Sequence, residues 1–219
     1  STDRTKDIAS SYEHLTFISE PDSGCTEAIN KGISLSKGEY ILMPCVTDGL
    51  LDENWIKSCV EVLENDQEVS LVWGLPQYLS EDGHLGDVSY QDRFSNTHPP
   101  QKFDWFNFWK QTKFWLPEGN FCVRSNIFKE CFPKSDNERN IEPCLEFNYR
   151  FNSNGYLPYF INTIANFGRK HDNQMGQQFS SSGLCHVQMN DYVSKSNNYI
   201  MANINDHKFR DGKSQIVKK

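Results

Sequence analysis

The chain has 219 residues, a formal net charge of −7 at pH 7 and a hydrophobic content of 37%. This length and apolar content allow one domain with a sizeable core and exclude a disordered chain. The acidic balance argues against a general nucleic-acid binder, which usually has a basic face. No apolar run approaches the roughly 18 residues of a membrane-spanning helix.

Strand and helix patterns alternate in the first half of the chain, which predicts an α/β layer fold. Apolar residues at helical spacing indicate helices, and nearly continuous apolar runs indicate buried parallel strands. The predicted elements are, in order, a helix over 2–13 capped by Thr2 or Asp3, a strand over 15–18, a turn over 21–24, a helix closed by Gly38, a buried parallel strand over 40–46, a helix with the apolar stripe Trp55, Ile56, Cys59, Val60 and Leu63, and a strand over 69–73.

The second half is less regular. Gly, Pro, Asp, Ser and Asn are frequent over 76–101, which predicts a long loop. Seven aromatic residues follow between Phe103 and Trp115, and they have two interpretations: a platform for sugar rings, or core and oligomer contact, which we favour. Further predicted elements are a strand over 121–123, helices over 126–131 and 145–155, and strands over 156–161 and 164–167.

The seven cysteines form no CxxC pair, and their number is odd. Several, including Cys45, Cys59 and Cys122, stand among apolar residues. This pattern predicts reduced, buried thiols in a cytoplasmic protein rather than a disulfide framework or a zinc site.

The most informative stretch runs over 19–49, where a Gly turn, an amphipathic helix, a second Gly turn and an apolar strand precede Asp48. Open α/β sheets bind ligands at the carboxyl ends of their strands, so Asp48 is a candidate ligand for a metal at a nucleotide site. The alternative is a plain Asp-Gly turn that ends a strand.

This block, with SEPDSG, AINKGI, GEYI and the Asp at 48, resembles family 2 glycosyltransferases of the GT-A fold. The segments 1–5, 71–74, 146–150, 155–156 and 169–171 are similar to other parts of that family, so the resemblance covers nearly all of 1–175. It implies a nucleotide-diphospho-sugar transferase fold, a mixed sheet flanked by helices, over 1–205. It also implies that the chain is N-terminally truncated, because the first strand of the family would lie upstream of Ser1.

Three departures from the family pattern bear on activity. The uracil-contacting aspartates would lie upstream with the first strand, which leaves open whether this chain alone is active. The Asp-x-Asp of the family is reduced to Val46-Thr47-Asp48. The Glu-Asp ahead of the catalytic helix falls on Pro143 and Cys144, so that Glu142 is the nearest acid.

Site residues follow from the resemblance. For the metal, Mn²⁺ or Mg²⁺, the implied ligands are Asp48 and His171. Glu142 and Glu146, one helical turn apart, are candidate bases that would take the proton of an acceptor hydroxyl. Each also has a structural alternative, as a surface charge for the glutamates and as a satisfied or surface group for His171.

Two further sets complete the predicted site. The residues implied to line the donor are Asp22, Gly24, Asn30 and Lys31. A lysine can meet a diphosphate as a point charge, although Lys31 is equally interpretable as an exposed helix lysine. The residues implied to contact the acceptor are Glu118, Asn120 and Trp115.

The expected function is inverting transfer of a sugar from a nucleoside-diphosphate donor, with a UDP-sugar favoured, to a glycan or lipid-linked acceptor. The expected setting is polysaccharide biosynthesis in the cytoplasm. The basic tail over 206–219 is a candidate for peripheral membrane contact. The alternative is a non-catalytic glycan- or partner-binding module on the same fold. A nucleotidyltransferase is a weaker alternative, because no GxGxxG or Walker loop is present.

Overall fold

The computed structural model describes residues 2–45, 48–90, 94, 99–100, 103–134, 143–169, 208–210 and 216–218. Its helices are α1 (Thr5–Ser10), α2 (Cys25–Leu35), α3 (Trp55–Asn65), α4 (Phe103–Thr112), α5 (Ser125–Cys131) and α6 (Pro143–Ser153). Its strands are β1 (Tyr40–Leu42), β2 (Gly49–Leu50), β3 (Val69–Leu79), β4 (Leu85–Val88), β5 (Cys122–Arg124), β6 (Leu157–Arg169), β7 (Lys208–Arg210) and β8 (Ile216–Lys218).

The main sheet has the strand order β1-β5-β3-β6-β2, and β4 pairs with β3 off this path. β3 and β6 are parallel, whereas the other strand pairs of this sheet are antiparallel. A mixed sheet with helices between its strands in sequence confirms the expected α/β class. β7 and β8 form a separate antiparallel pair within the predicted basic tail.

The core lies around β3, which is buried from Val69 to Leu75. The Trp73 ring lies 4.6 Å from the ring of Phe160 and 5.2 Å from that of Phe114, measured between centroids. Much of the aromatic run joins this core, since Trp105, Phe106, Trp109 and Phe114 are all buried. The favoured interpretation of these four residues as core is therefore confirmed. Large aromatic side chains dominate core burial because of their area.

Two predicted strands are wrong. The run over 40–46 gives only the three-residue β1, which is half-buried and antiparallel to β5 rather than buried and parallel. Among the described strands β1 has a single neighbour, so that it lies at the end of the sheet. Residues 15–18 form no strand, and Leu15, Phe17 and Ile18 are exposed. An alternating pattern becomes a strand only where another strand accepts its hydrogen bonds, and no described strand pairs with this segment.

Several boundaries also differ from the prediction. α1 is shorter than predicted and begins after Arg4, although the Asp3 carboxylate accepts a hydrogen bond from the Thr5 amide at 3.0 Å. On α3, Ile56 is exposed although it belongs to the predicted apolar stripe. The predicted loop over 76–101 contains the end of β3 and all of β4, and the two strands predicted over 156–167 are one strand, β6.

No disulfide joins any of the described cysteines. Cys59 and Cys122 are buried as predicted, but Cys45 is exposed because it follows the short β1. A hydrogen bond with Cys122, together with burial, raises the pKa of the Cys59 thiol. None of the helices in the described part of the chain has the length and apolar character needed to cross a bilayer.

Candidate active site

Asp48 lies at the entrance to β2, at one edge of the sheet. Its backbone amide donates to the Cys45 carbonyl at 3.0 Å, which closes a turn after β1. β2 then pairs antiparallel with β6, with Gly49 opposite Phe167. A Cβ on Gly49 would lie 2.7 Å from the Phe167 ring, so that a larger residue here would have to displace that ring. The Asp-Gly pair thus places the Asp48 carboxylate beside Gly168 of β6.

Two glycines border the half-buried Asp48 carboxylate. A Cβ on Gly119 would lie 2.8 Å from Oδ2 of Asp48, and a Cβ on Gly168 would lie 3.6 Å from Oδ1. The carboxylate therefore stands in a recess that lacks side chains on two sides, with each oxygen turned toward a different glycine. We call this the Asp48 recess, defined by Asp48, Gly119 and Gly168.

The loop that carries Gly119 is fixed to the core by Trp55 of α3. The Trp55 indole donates from Nε1 to the Asn120 carbonyl at 2.8 Å, and both residues are fully buried. The same ring packs over Gly74, where a Cβ would come within 2.9 Å of the Trp55 Cη2. One buried side chain thus joins β3 to the wall of the Asp48 recess.

The buried side-chain amides of Asn120 and Asn166 continue this connection toward Asp48. The Asn120 side chain donates from Nδ2 to the Gly74 carbonyl at 3.0 Å and accepts at Oδ1 from the Gly74 amide at 3.2 Å. β5 begins only at Cys122, and the Asn120 amide provides the partner that Gly74 lacks on that side. Nδ2 of Asn120 also donates to Oδ1 of Asn166 at 2.9 Å.

Asn166 also lies near this loop, although the sequence did not predict it as a site residue. This residue lies in β6, is 2% exposed, and has its Nδ2 atom 2.8 Å from the position that a Cβ on Gly119 would take. The one signal available was a polar amide within a run predicted as a strand, between Ala165 and Phe167. Asn120 was predicted to contact the acceptor, but it is 0% exposed and its amide is engaged within the protein.

Trp115 and Glu118 lie on the same loop as Gly119. The Trp115 indole donates from Nε1 to Oε2 of Glu118 at 2.8 Å, and both side chains are half-buried. The indole therefore fixes the carboxylate one residue before the Asp48 recess. Of the predicted acceptor set, these two combine access to solvent with a defined geometry.

Of the two predicted bases, one lies within the described residues and the other lies outside them. Glu146 lies on α6, is largely buried, and accepts a hydrogen bond from the Arg150 guanidinium one turn later. Glu142 and His171 lie outside the described residues. In sequence, Glu142 immediately precedes α6, and His171 follows the end of β6 by two residues.

The predicted donor residues surround the start of α2. The Asp22 carboxylate accepts from the Gly24 amide at 3.0 Å, and Gly24, with φ of 146°, precedes the helix. Asn30 uses its amide to donate to the carbonyl of Pro133 at 2.7 Å. Lys31 forms an ion pair with Glu20 at the surface. These contacts are local or reach the segment after α5, and none of them involves Asp48.

A network within the same turn orders the start of α2. The Ser23 amide and hydroxyl both donate to the Glu27 carboxylate, at 2.7 and 2.6 Å. These hydrogen bonds favour the ionised form and lower the pKa of Glu27. This pattern is a capping interaction, in which the carboxylate of a glutamate in the first turn accepts hydrogen bonds from a residue that precedes the helix.

A hard divalent cation fits the Asp48 recess on chemical grounds. Mg²⁺ is usually held by one or two carboxylates, with phosphates and water completing its shell. Asp48 supplies one such carboxylate, bordered by two glycines. In the described ranges, no three His, Cys, Asp or Glu side chains are grouped so that they could hold a metal.

The family follows from comparison with known proteins. The model of glycosyl transferase family 2 matches residues 1–132, which is more than half of the chain. The protein belongs to glycosyl transferase family 2, as the resemblance of its first half implied.

Solved structures confirm the GT-A fold. The structure of S. aureus TarS 1–349 in complex with UDP-GlcNAc superposes with a TM-score of 0.59 at 12% identity, covering 94% of this chain and 60% of TarS 1–349. A second structure of S. aureus TarS 1–349 gives a TM-score of 0.57 at 13% identity, covering 92% and 62%. The chain thus spans about three-fifths of the TarS chains. No curated protein matches the sequence.

Proposed function

We propose that the protein transfers a sugar from a nucleoside-diphosphate donor to a glycan or lipid-linked acceptor, with inversion at the anomeric carbon. The observation that carries this proposal is the Asp48 carboxylate in its glycine-bordered recess on a family 2 fold. A UDP-sugar is the favoured donor, since the similar TarS chain was solved with UDP-GlcNAc.

Asp48 would hold Mn²⁺ or Mg²⁺ at the donor diphosphate, and His171 is the proposed second ligand. A bound divalent ion supplies positive charge to offset the charge that develops on a leaving diphosphate. The role of the chain is to orient the carboxylate. The glycine at 119 lets the carboxylate lie close to the backbone, since a Cβ there would come within 2.8 Å of Oδ2.

Glu142 is the proposed base that takes the proton of the acceptor hydroxyl. An acceptor alcohol is a weak nucleophile until a carboxylate within hydrogen-bond reach removes this proton in the transition state. Glu146 is the second candidate, but Arg150 already engages its carboxylate. We therefore assign Glu146 and Arg150 to ordering α6, directly after Glu142.

Trp115 and Glu118 are the proposed acceptor contacts. An indole face can stack on a sugar ring, and a carboxylate fixed by the indole N–H can accept hydrogen bonds from sugar hydroxyls. We assign Asn120 to holding this loop in place, since its amide is buried and fully used by Gly74 and Asn166.

The donor side is proposed to include Asp22, Gly24, Asn30 and Lys31, around the start of α2. Lys31 would exchange its ion pair with Glu20 for the diphosphate. We propose polysaccharide biosynthesis at the cytoplasmic side as the setting, with the basic tail as a peripheral membrane contact.

Turnover tests this function directly. Release of UDP from UDP-GlcNAc and other UDP-sugars would be measured with Mn²⁺ and a panel of glycan acceptors, for the wild type and Asp48→Asn. Removing one stabiliser of developing charge typically lowers kcat by about 100- to 1,000-fold, and a loss of that size is expected. Asp87→Asn, on the exposed face of β4, removes the same charge elsewhere and should leave turnover unchanged. Equal turnover of Asp48→Asn and wild type would contradict the proposal.

The same experiment separates the enzyme from a non-catalytic binding module. The observation in favour of a module is that the described residues contain no group of three His, Cys, Asp or Glu side chains able to hold a metal. It would bind an acceptor glycan without affinity for a UDP-sugar and without release of UDP. Proton NMR of the product of an active preparation would show the anomeric configuration, and retention would contradict inversion.

A further inference from the structure

The strand register defines which residues lie beside Asp48 on its face of the main sheet. β2 pairs antiparallel with β6, and Gly49 lies opposite Phe167. One further step along this register sets Asp48 opposite Gly168. The side chain agrees with this placement, since Oδ1 of Asp48 lies 3.6 Å from the point where a Cβ on Gly168 would stand. Asp48 and Gly168 are therefore neighbours on one face of the sheet.

The neighbour of Gly168 on its other side is Tyr78 of β3. β3 pairs in parallel with β6, and the register runs without a shift from Pro76 to Leu79, with Tyr78 opposite Gly168. Residues directly opposite each other on neighbouring strands carry their side chains on the same face of a sheet. Tyr78 therefore shares the face of Asp48, and Gly168 stands between them. We call these three residues the cross-strand row.

The cross-strand row has a phenol ring at one end, a carboxylate at the other and no side chain in the middle. Neighbouring strands lie about 4.8 Å apart, so the two outer residues are separated by roughly 10 Å at the backbone. Apart from its chain neighbours and the Asp48 carboxylate, no atom in the described part of the chain lies within 4 Å of the Gly168 Cβ point. The middle of the row is thus a gap that can accommodate a ring the size of a hexose.

Tyr78 is accessible from this gap because it lies where β3 leaves the core. The strand is buried from Val69 to Leu75, whereas Tyr78 is 38% exposed. Single exposed aromatic residues are ordinary on protein surfaces. Tyr78 differs from them in its position, since the register of two strand pairs sets it across one glycine from the candidate metal ligand. An exposed ring face at such a place is suited to stack on a sugar ring.

We infer that the ring of Tyr78 contacts the transferred sugar, which lies over Gly168 while the diphosphate meets the cation at Asp48. This inference rests on the proposed function. The nucleotide is assigned there to the start of α2 and the acceptor to the Gly119 loop, so that the Gly168 side of Asp48 is left for the sugar. The sugar is bonded directly to the diphosphate, and a ring two strands from Asp48 is within its reach.

The test compares the binding of UDP-GlcNAc with that of UDP. Isothermal titration calorimetry with Mn²⁺ would give both affinities for the wild type, Tyr78→Ala and Tyr78→Phe. An aromatic contact typically changes affinity by up to about tenfold, and Tyr78→Ala should bind UDP-GlcNAc more weakly by about that factor. Its affinity for UDP should equal that of the wild type, because UDP lacks the transferred sugar. Tyr78→Phe keeps the ring and should bind both ligands as the wild type does.

Tyr12→Ala is the matched control for the loss of an exposed tyrosine. Tyr12 is 52% exposed and follows α1, outside the strands of the sheet. This variant should bind UDP and UDP-GlcNAc as the wild type does. If Tyr78→Ala does not fold, Tyr78→Thr replaces it, since a β-branched residue suits a strand. The same loss of UDP-GlcNAc affinity is expected.

The outcomes separate this inference from the function beneath it. Wild-type affinity for UDP-GlcNAc in Tyr78→Ala, an equal loss for UDP, or an equal loss in Tyr78→Phe or Tyr12→Ala would overturn the contact between ring and sugar. The proposed function stands in each of these cases as long as release of UDP from UDP-GlcNAc depends on Asp48. Turnover of Asp48→Asn at the wild-type rate would overturn the function and the inference with it.

Discussion

Two polar clusters of this protein differ in how they are built. The start of α2 is held by Ser23, Asp22 and Glu27 through exposed hydrogen bonds between residues at most four apart. The second cluster, which we call the amide relay, consists of the Gly74 backbone and the buried side-chain amides of Asn120 and Asn166, and each of its hydrogen bonds joins residues 46 positions apart. The first cluster shapes one turn, whereas the second joins β3, the Gly119 loop and β6. The difference predicts that the relay matters more both to stability and to the geometry at Asp48.

The largest effect on stability is expected at Asn120. Asn120→Ala leaves both polar groups of Gly74 and one oxygen of Asn166 without a partner in the core, which should lower the free energy of unfolding by about 3 kcal/mol. Ser23→Ala removes one exposed hydrogen bond of the cluster at the start of α2 and should cost much less. Urea unfolding followed by tryptophan fluorescence measures both. A Ser23→Ala loss as large as that of Asn120→Ala would remove the distinction between the clusters.

The next effect is on ligand geometry at Asp48. Gly119 is not among the glycines with positive φ, so that alanine is acceptable to its backbone, but the new Cβ must displace Oδ2 of Asp48. Gly119→Ala should weaken donor-dependent Mn²⁺ binding by about 100-fold, in line with the cost of a misplaced functional group. The Cβ of Gly168→Ala would stand at ordinary contact distance from Oδ1 and should have a smaller effect.

Gly32→Ala is the control for this pair. It lies on α2 with nothing within 4 Å of its added Cβ, so that its Mn²⁺ binding should equal that of the wild type. The order of loss should be Gly119→Ala, then Gly168→Ala, then Gly32→Ala. A larger loss in Gly168→Ala than in Gly119→Ala would show that Oδ2 is not the oxygen held against the loop.

The smallest effect is expected at the start of α2. Ser23 lowers the pKa of Glu27 in the folded state, so this pair stabilises the fold above the ordinary glutamate pKa and loses that contribution as pH falls through the lowered value. Ser23→Ala should raise the pKa of Glu27 part of the way to its ordinary value, because the backbone donor remains. NMR titration of the Glu27 side chain measures the change. Ser34→Ala, whose hydroxyl donates to the Lys31 carbonyl, should leave this pKa unchanged.

The elements that could be predicted from the sequence are those determined by residues close together in the chain. The helix over 25–35, the stripe of Trp55, Cys59 and Leu63, and the Asp-Gly before β2 all depend on neighbours within a few residues. The family pattern added the class of fold. The predicted burial and direction of 40–46, in contrast, depended on which strands pair with it, and a sequence segment does not contain its partners.

The candidate site shows the same limit. Asp48 was predicted because it follows an apolar run, but Asn166 belongs to the site only through the register of β2 on β6 and the reach of the Gly119 loop. Asn120 was predicted from its place beside Gly119 and assigned to the acceptor, whereas burial directs its amide to Gly74. Long-range contacts decide the role of an asparagine, and they are visible only in the folded chain.

We propose above all that the Asp48 carboxylate holds a cation against the donor diphosphate. Isothermal titration calorimetry of UDP-GlcNAc, with Mn²⁺ and with EDTA, tests this role in the wild type, Asp48→Asn and Asp87→Asn. We expect Mn²⁺ to strengthen binding in the wild type and in Asp87→Asn, and Asp48→Asn to bind as the wild type does in EDTA. Equal strengthening by Mn²⁺ in all three proteins would contradict it.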